Sequence, residues 1–598
     1  MSASETFRFA PPYQLPSWPF VPPPELAGGT LRHHRLVIAG AGLTGLTLAC
    51  DLAVRGVDCV VLDEDDTVGV RGASSRGICY AQKSLEIYDR LGIVDQIVGK
   101  GVTWSLGRTF CGDDEVYNFE LKSTGVSRQP PFVNLQQFYL EWFLVDRILE
   151  LGHADLRWKN RITAVEARAE AVRVTVQTPA GGYTIDCDWL IDATGANSPI
   201  RRHLGIEART SHSADRWCIT DVRFDRALAI ERWTWVSAPF NDGRGVWQHL
   251  MADDVWRMDY QMPLDADPEE ISRPEVAGQR IRRQLGPDVT FEFVWIGPYQ
   301  YRDLLLDRFR HGRVLFMGDS AHVVSPFGAR GGNTGIQDAN NLGWKFALVL
   351  AGRAPERLLE SYDAERRAAA TENLQVTSRT ARFLAPRTAA ERTILNALLT
   401  LARCYPFART MVNTGRMSVA NDYPASEWLP AGGKSLPNVP LVDGGGRRTT
   451  LMALLRGTTR LLALHFASPE ETAAGSAVAA LRDAVASLPV AVVDVHGSAG
   501  LAAVSGGHDD GRRSGKDRTG ANGDNGPSDV VLDRDHRLRG LLAAAPGSIV
   551  LVRPDAYCAA RLEAADPGTL ARAVRTALGL DATSTPPSGE RADAAAEA

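Results

Sequence analysis

The amino-acid sequence predicts an α/β fold of several domains that opens with a Rossmann-like unit. With 598 residues, the chain is too long for one hydrophobic core. A short apolar strand, a glycine-rich turn and a helix follow one another between residues 36 and 55, which is the order found in Rossmann units. Alternating and aromatic-rich segments between residues 161 and 300 predict further sheet structure, because strands place successive side chains on opposite faces.

Composition and charge exclude several classes of function. The chain is 44% hydrophobic and 23% charged with a net charge of -5, so nucleic acid and anionic lipid are not expected partners. Its eight cysteines are scattered without a C-x-x-C pair, so no metal or iron–sulfur site is expected. The N-terminal residues lack the pattern of a secretory signal, and no apolar stretch approaches the length of a membrane span. We therefore expect a cytoplasmic protein that does not bind membranes.

Changes in composition along the chain predict the domain boundaries. Repeated prolines predict an irregular N-terminal arm, and a segment rich in Gly, Ser, Asp and Asn predicts a disordered insertion near the C-terminus. The predicted units are an arm at 1–34, a nucleotide-binding domain at 35–212 and 301–430 whose second part includes a helical segment, a sheet domain at 213–300, a C-terminal α/β domain at 431–580 with the insertion at 497–529, and a tail at 581–598.

The glycine-rich turn carries the first chemical signal. It reads Gly40-Ala41-Gly42-Leu43-Thr44-Gly45, which fits G-x-G-x-x-G between a strand and a helix. The second strand ends at Asp63, followed by Glu64, and a carboxylate there can accept hydrogen bonds from a ribose. A glycine-rich turn alone can also have a purely structural role. Strand, helix and terminal acid together favour dinucleotide binding.

A second motif follows about 270 residues later. It comprises Gly312 to His322, which includes Gly318 and Asp319, and Ser325 to Ala339, which includes Pro326, Gly331, Gly332, Asn333 and Thr334. This motif resembles FAD-dependent aromatic hydroxylases of the para-hydroxybenzoate hydroxylase type. Its sequence is nearest to 3-(3-hydroxyphenyl)propionate hydroxylases and to phenol 2-monooxygenases. The resemblance covers residues 35–430 strongly and 431–580 loosely.

The resemblance implies both a cofactor and a reaction. FAD is the expected cofactor, NADH or NADPH the electron donor, and O2 the oxidant. A flavin C4a-hydroperoxide would transfer oxygen to a small phenolic or related aromatic substrate. The resemblance also implies a β-sheet substrate domain inserted into the FAD-binding domain, a thioredoxin-like C-terminal domain without a redox cysteine pair, and a homodimer.

The resemblance further assigns individual residues. Arg76 and Gln137 match residues that contact the flavin, although Gln136 leaves the register open by one position. The Pro326 carbonyl is expected near the substrate and the reactive flavin carbon. Thr194, before Gly195, replaces an aspartate that is usual in relatives, so handling of the nicotinamide is less clearly implied than FAD binding.

Candidates for activating the substrate come from the predicted sheet. They are His249, Tyr260 and Tyr301, with Arg223 or Arg257 for an anionic substrate, and each can equally be structural. A flavin-dependent halogenase is one alternative, but Ser237-Ala238-Pro239 stands where that class has Ile-Pro. A non-catalytic FAD-binding scaffold is the other, and Thr194 is the residue that favours it.

Overall fold

The computed structural model of the protein describes most of the chain. The described residues are 8–10, 13–28, 32–69, 76–121, 125–212, 215–386, 388–414, 417–468, 476–497, 530–564 and 566–581. The predicted disordered insertion and the predicted tail lie outside these residues, apart from Gly497 and Asp581.

The first sheet has eight strands and joins two distant parts of the chain. Its parallel core runs in the order Val314–Phe316, Gly181–Asp192, Arg32–Ala39, Cys59–Leu62 and Ala154–Arg157. Antiparallel strands Arg161–Ala167, Val172–Thr178 and Arg310–His311 extend it. In the central strands, residues 36–39 and Cys59–Leu62 are apolar and buried, and they share their core with helices Leu43–Val54, Gln137–Leu151 and Gly331–Leu350.

A second sheet, called the middle sheet, has seven strands. Its order is Phe291–Tyr299, Arg216–Phe224, Val255–Met262, Arg244–Leu250, Arg232–Ala238, Leu106–Cys111 and Asp114–Glu120. Five of these strands come from the predicted sheet region, and two come from residues 106–120. The outer face packs on helix Pro274–Leu285, so the opposite face is left for the rest of the molecule.

The C-terminal sheet has eight strands with parallel and antiparallel pairs. The strand order is Lys434–Ser435, Tyr557–Leu562, Ser548–Val552, Leu461–Phe466, Val490–His496, Val530–Leu532, Pro440–Asp443 and Arg448–Thr450. The helices of this part of the chain are Leu451–Leu454, Ser476–Ala484, Arg537–Leu542 and Pro567–Ala577. Parallel and antiparallel sheets packed with helices confirm the predicted α/β class.

Shorter elements complete the description. The remaining helices are Pro24–Gly28, Gln82–Leu91, Val94–Lys100, Pro199–His203, Pro268–Ile271, Glu360–Leu384, Ala389–Cys404 and Pro406–Arg409, with 3-10 turns at Pro239–Asn241, Ala252–Asp254, Gly318–Ser320 and Glu356–Leu359. Two further sheets have three strands each. One joins Cys79–Ala81, Phe132–Asn134 and Val102–Thr103, and the other joins Ala208–His212, Arg302–Leu306 and His322–Val323. None of the helices in the described ranges is both long and apolar enough to span a membrane.

The C-terminal sheet is attached to the first unit through a buried ion cluster. Arg553 donates to both oxygens of Glu365 at 2.6 and 2.9 Å, and Lys345 lies 3.0 Å from the same carboxylate. All three side chains are at most 2% exposed. Burial opposes ionisation, but the charges of Arg553 and Lys345 lower the pKa of Glu365 to about 2.

We predict that Arg553→Ala lowers the free energy of unfolding by about 3–5 kcal/mol, because Glu365 keeps a buried charge without its main partner. Urea denaturation measures this loss. Arg575→Ala removes a half-exposed ion pair with Asp581 and should cost at most about 1 kcal/mol.

Acid denaturation provides a second measurement on the same variant. Because the pKa of Glu365 is lowered from its ordinary value of 4.5 to about 2, its contribution is present above pH 4.5 and lost as the pH falls through about 2. The Arg553→Ala variant should lose less stability over this pH range than the wild type. Equal losses in the Arg553 and Arg575 variants would contradict a special role for the buried pair.

Candidate functional site

The first glycine turn is tight on one side and open on the other. Gly40 has φ +102°, and a Cβ there would come within 2.6 Å of the Ala193 carbonyl oxygen. Gly45 packs directly against the Gly40 carbonyl, where a Cβ has no room. At Gly42, by contrast, a Cβ would meet no heavy atom of the described residues within 4 Å. The open side of the turn can therefore accept a pyrophosphate close to the backbone.

Asp63, at the end of the neighbouring strand, stabilises this turn through hydrogen bonds. Its carboxylate accepts the Ala41 amide at 2.5 Å and the Asp65 amide at 2.9 Å. Burial raises the pKa of Asp63 to about 6. Each carboxylate oxygen has a further lone pair for a ribose hydroxyl. Glu64 is exposed beside it.

Glu141 is a site residue whose role the sequence did not reveal. Its buried carboxylate accepts the Leu43 amide at 3.1 Å and the Gly69 amide at 3.0 Å. Burial raises the pKa of Glu141. Glu141 thus holds the start of helix Leu43–Val54, and the Leu43 amide already has a partner. The signal was present: Glu141 is the charged residue on a side of its helix that is otherwise apolar and buried.

The two sequence motifs meet in space. Thr44 lies against both Gly318 and Gly335, and a Cβ at Gly318 would approach the Thr44 hydroxyl to 2.6 Å. A Cβ at Gly332 would lie 3.2 Å from a methyl group of Leu43. Glycine at these positions lets the second motif pack directly against the first, which places both in one site.

Helix Gly331–Leu350 starts at this junction. No side chain among the described residues caps its first turn, and Gly332 is exposed. The positive end of the helix therefore faces the open space, where it stabilises negative charge. Pro326 is also exposed there.

The side chains of Asn333 and Thr334 point inward. Asn333 accepts the Ala81 amide at 2.9 Å and donates to the Cys79 carbonyl at 2.8 Å. The Thr334 hydroxyl donates to the Arg330 carbonyl at 2.7 Å. These two predicted cofactor residues therefore offer backbone groups, and not side chains, to a ligand.

Arg76 and Asp319 border the same open space. Both are exposed, yet desolvation by the surrounding protein raises the pKa of Asp319, and the nearby charges of His322 and Arg76 oppose this shift. The same Arg76 charge acts on Glu141. Arg76 has φ +50°, and its carbonyl accepts a hydrogen bond from Arg257 at 2.6 Å. The structure thus brings Arg76 to the cofactor motifs.

Gln136 and Gln137, between which the sequence left the register open, have different hydrogen-bond partners. Gln137 accepts the Gly77 amide at 3.2 Å and donates to Glu141 at 2.8 Å. Gln136 instead donates to the Tyr13 hydroxyl at 3.0 Å and to the Ala252 carbonyl at 2.8 Å. Gln137 is the residue beside the Arg76 segment.

The loop with Thr194 is organised by Asp192. Asp192 accepts the Thr194 amide at 2.9 Å and the Thr194 hydroxyl at 2.6 Å, and its other oxygen accepts the Ser198 hydroxyl. Burial raises the pKa of Asp192. Gly195 follows with φ +85°. Asp192 therefore stabilises the loop from a fully buried position.

The inner face of the middle sheet packs against the second motif. Trp217 and Trp247 pack against Phe327, with ring centroids 6.3 and 5.6 Å away. Phe327 follows Pro326 directly, so this face covers the Pro326 loop. Tyr301 also packs on Phe327 at 5.5 Å, and its hydroxyl donates to Asp215 at 2.7 Å.

The remaining substrate candidates are divided between the two faces of the sheet. His249 is buried on the inner face, and burial and two arginines lower the pKa of its ring well below the ordinary value. Arg257 is paired with Asp221 at 2.9 and 3.1 Å. Arg223 donates to a backbone carbonyl at 3.1 Å. Tyr260 lies in the core of the outer face and donates to Gln284 at 2.7 Å, so it does not join the site.

Asp259 belongs to the inner face and was not among the predicted residues. It pairs across the sheet with Trp247 and Ile219. Strand alternation could have revealed it, because Asp259 must lie on the same face as Arg257 whenever Tyr260 lies on the other. In the described part of the chain, no group of three or more His, Cys, Asp or Glu side chains is arranged to hold a metal ion.

Comparisons with known proteins identify the family. Residues 34–377 match the family model described as FAD binding domain. The anhydrotetracycline monooxygenase of Streptomyces rimosus is 30% identical over 464 residues, 74% of this chain and 88% of that protein. A 3-(3-hydroxy-phenyl)propionate/3-hydroxycinnamic acid hydroxylase of Mycolicibacterium smegmatis is 26% identical over 59% of this chain and 61% of that protein.

A solved structure shows the same fold over nearly the whole chain. The flavin-dependent monooxygenase PieE, in complex with FAD and substrate, superposes with a TM-score of 0.71 at 20% identity, covering 92% of this chain and 99% of that protein. The family model and the relatives confirm the resemblance found in the sequence. The chain therefore belongs to the FAD binding domain family, among the FAD-dependent aromatic monooxygenases.

Proposed function

We propose that this chain hydroxylates a phenolic aromatic compound with bound FAD, consuming NADH or NADPH and O2. The observation that carries the proposal is the convergence of the two FAD motifs on one open space that a polar sheet face closes from the other side. We further propose that the middle sheet is the substrate domain, that the C-terminal sheet is thioredoxin-like, and that the protein is a cytoplasmic homodimer.

The residues around the open space fit FAD. The open side of Gly42 and the uncapped start of helix Gly331–Leu350 suit a pyrophosphate and a flavin ring. Asp63 and Asp319 supply carboxylates for the ribose and the ribityl chain, and Arg76 supplies a fixed positive charge beside them. When bound there, FAD would supply the electron transfer from the nicotinamide and the activation of O2.

The inner sheet face favours a substrate with several oxygen atoms. Five of its buried polar atoms have no hydrogen-bond partner among the described residues, and unpaired buried groups are rare in proteins. They are Thr109 Oγ1, Trp217 Nε1, Arg232 Nε, His249 Nδ1 and Asp259 Oδ1. A fused-ring phenol with further hydroxyl or carbonyl groups could satisfy more of them than a simple phenol.

Oxidation of NADH and NADPH tests the proposal directly. We expect anhydrotetracycline, a polyoxygenated fused-ring phenol, to stimulate NAD(P)H consumption and to yield a hydroxylated product. We expect 3-(3-hydroxyphenyl)propionate to stimulate consumption less, since it leaves more polar atoms of the sheet face unpaired. If neither phenol stimulated NAD(P)H consumption and neither gave a hydroxylated product, the proposed function would be contradicted.

We predict that Gly42→Val removes most bound FAD without unfolding the protein. The new side chain has room in the protein itself but occupies the position of the pyrophosphate. The ratio of flavin to protein absorbance, together with circular dichroism, measures both effects. Gly99→Val is the matched control, because a Cβ at Gly99 also meets no described atom within 4 Å, yet Gly99 lies outside the site. Full flavin content in the Gly42 variant would show that this turn does not bind the phosphates.

We predict that Arg76→Ala folds and binds FAD but reduces it slowly or releases peroxide in place of product. Arg76 carries the positive charge beside Asp319, and losing one charge-assisted hydrogen bond costs roughly 1.5–3 kcal/mol, which corresponds to about tenfold or more in rate. The reduction rate and the ratio of product to NAD(P)H consumed are the measurements. Arg209→Ala, which removes an exposed arginine paired with Asp307, should match the wild type. An Arg76 variant with both values unchanged would rule out this role.

A further inference from the structure

Asp259 lies at the centre of the inner sheet face. Its cross-strand neighbour Trp247 packs on Phe327, next to Pro326. Arg257, two residues earlier on the same strand, donates to the Arg76 carbonyl at 2.6 Å. Asp259 is therefore placed between the segment that carries Arg76 and the loop that carries Pro326, where an aromatic ring beside the flavin would lie.

The carboxylate of Asp259 is available for a ligand. Its Oδ1 atom is buried and has no hydrogen-bond partner among the described residues. The Nε atom of Arg232 and the Nδ1 atom of His249, on the next two strands of the same face, are buried and lack described partners as well. By contrast, both carboxylate oxygens of Asp221 are bound by Arg257. An unpaired acceptor and an unpaired cationic donor on the same face suit a hydroxyl group that ionises.

We propose that Asp259 accepts the proton of the aromatic substrate's hydroxyl group. The substrate O–H bond breaks, its proton forms a bond with Asp259 Oδ1, and the electron pair stays on the substrate oxygen. Arg232 Nε then donates to this anionic oxygen. The step makes the ring richer in electrons before oxygen is transferred, and it rests on the proposed function.

The protonation behaviour of the face agrees with this assignment. Burial raises the pKa of Asp259 to about 7. The charges of Arg257 and Arg232 oppose this upward shift, and the charge of Asp221 adds to it. His249 is held neutral and weakly basic by burial and the two arginines, so it competes poorly for the proton. The other titratable groups that interact with Asp259 are Cys79 and Tyr299. A general base is most effective with a pKa near the working pH.

The pH dependence of kcat/KM tests the proposal. Asp259 is an active base only when it is ionised, so wild-type kcat/KM should fall as the pH decreases through about 7. Anhydrotetracycline and 3-(3-hydroxyphenyl)propionate are the probes, with product formation as the readout. Asp259→Asn should retain FAD and melt at a similar temperature, lose about 100-fold or more in kcat/KM, and no longer show the acid limb near pH 7.

Two further variants separate catalysis from structure. Asp259→Glu should restore an acid limb and part of the rate, because it restores a carboxylate. Tyr260→Phe changes the adjacent residue, which faces the outer core and Gln284, and should keep the wild-type pH profile. An Asp259→Asn variant that keeps the acid limb and the rate overturns the inference while leaving the proposed function intact. A wild-type chain that hydroxylates neither probe overturns the proposed function, and the inference with it.

Discussion

The buried carboxylate of Asp338 holds the two parts of the second motif in register. It accepts the Gly318 amide at 3.0 Å, lies 2.7 Å from His322 Nε2 and accepts Arg366 at 2.6 Å. Burial would raise the pKa of Asp338, but the charges of His322 and Arg366 hold it below its ordinary value. A charge buried this deeply is tolerated only with such partners. Through Asp338, the turn that carries Asp319 and the helix that starts at Gly331 become one rigid unit.

The same helix is also the surface on which the C-terminal sheet is built. One turn beyond Asp338, Asn341 donates to Glu365 at 2.6 Å, and Glu365 is the carboxylate that Arg553 reaches from the C-terminal sheet. Asn340 donates to the Asp555 carbonyl at 3.1 Å. Helix Gly331–Leu350 thus faces the cofactor space at its first turn and the C-terminal sheet along its length.

In the middle sheet, a paired charge fixes the loop that carries Arg76. Asp221 fixes Arg257, and Arg257 fixes the carbonyl of Arg76, whose left-handed backbone conformation would otherwise be unfavourable. The position of the loop that carries Arg76 therefore depends on the middle sheet. Two hydrogen-bonded steps, Asp221 to Arg257 and Arg257 to the Arg76 carbonyl, make this connection.

Local patterns in the sequence were sufficient for the cofactor motifs and for the class of fold. The glycine turn, the strand that ends at Asp63 and the second motif are each short, and the conformations they need are properties of the local chain. Arg76 and Gln137 were also predicted, through their resemblance to a known family. What remained beyond the sequence were contacts between segments far apart, such as Glu141 with Leu43, and the inclusion of residues 106–120 in the middle sheet.

The sequence by itself determined that the protein is of the α/β class and contains a glycine turn of the dinucleotide-binding type. It also determined that the chain contains a strand-rich segment with polar and aromatic side chains. Only the tertiary structure decided which of those side chains face the cofactor space. Tyr260 and Asp259 are adjacent, yet one lies in the outer core and the other on the inner face. Alternation along a strand divides residues into two sets, but which set faces the site depends on the elements that pack on each side of the sheet, and those come from distant parts of the chain.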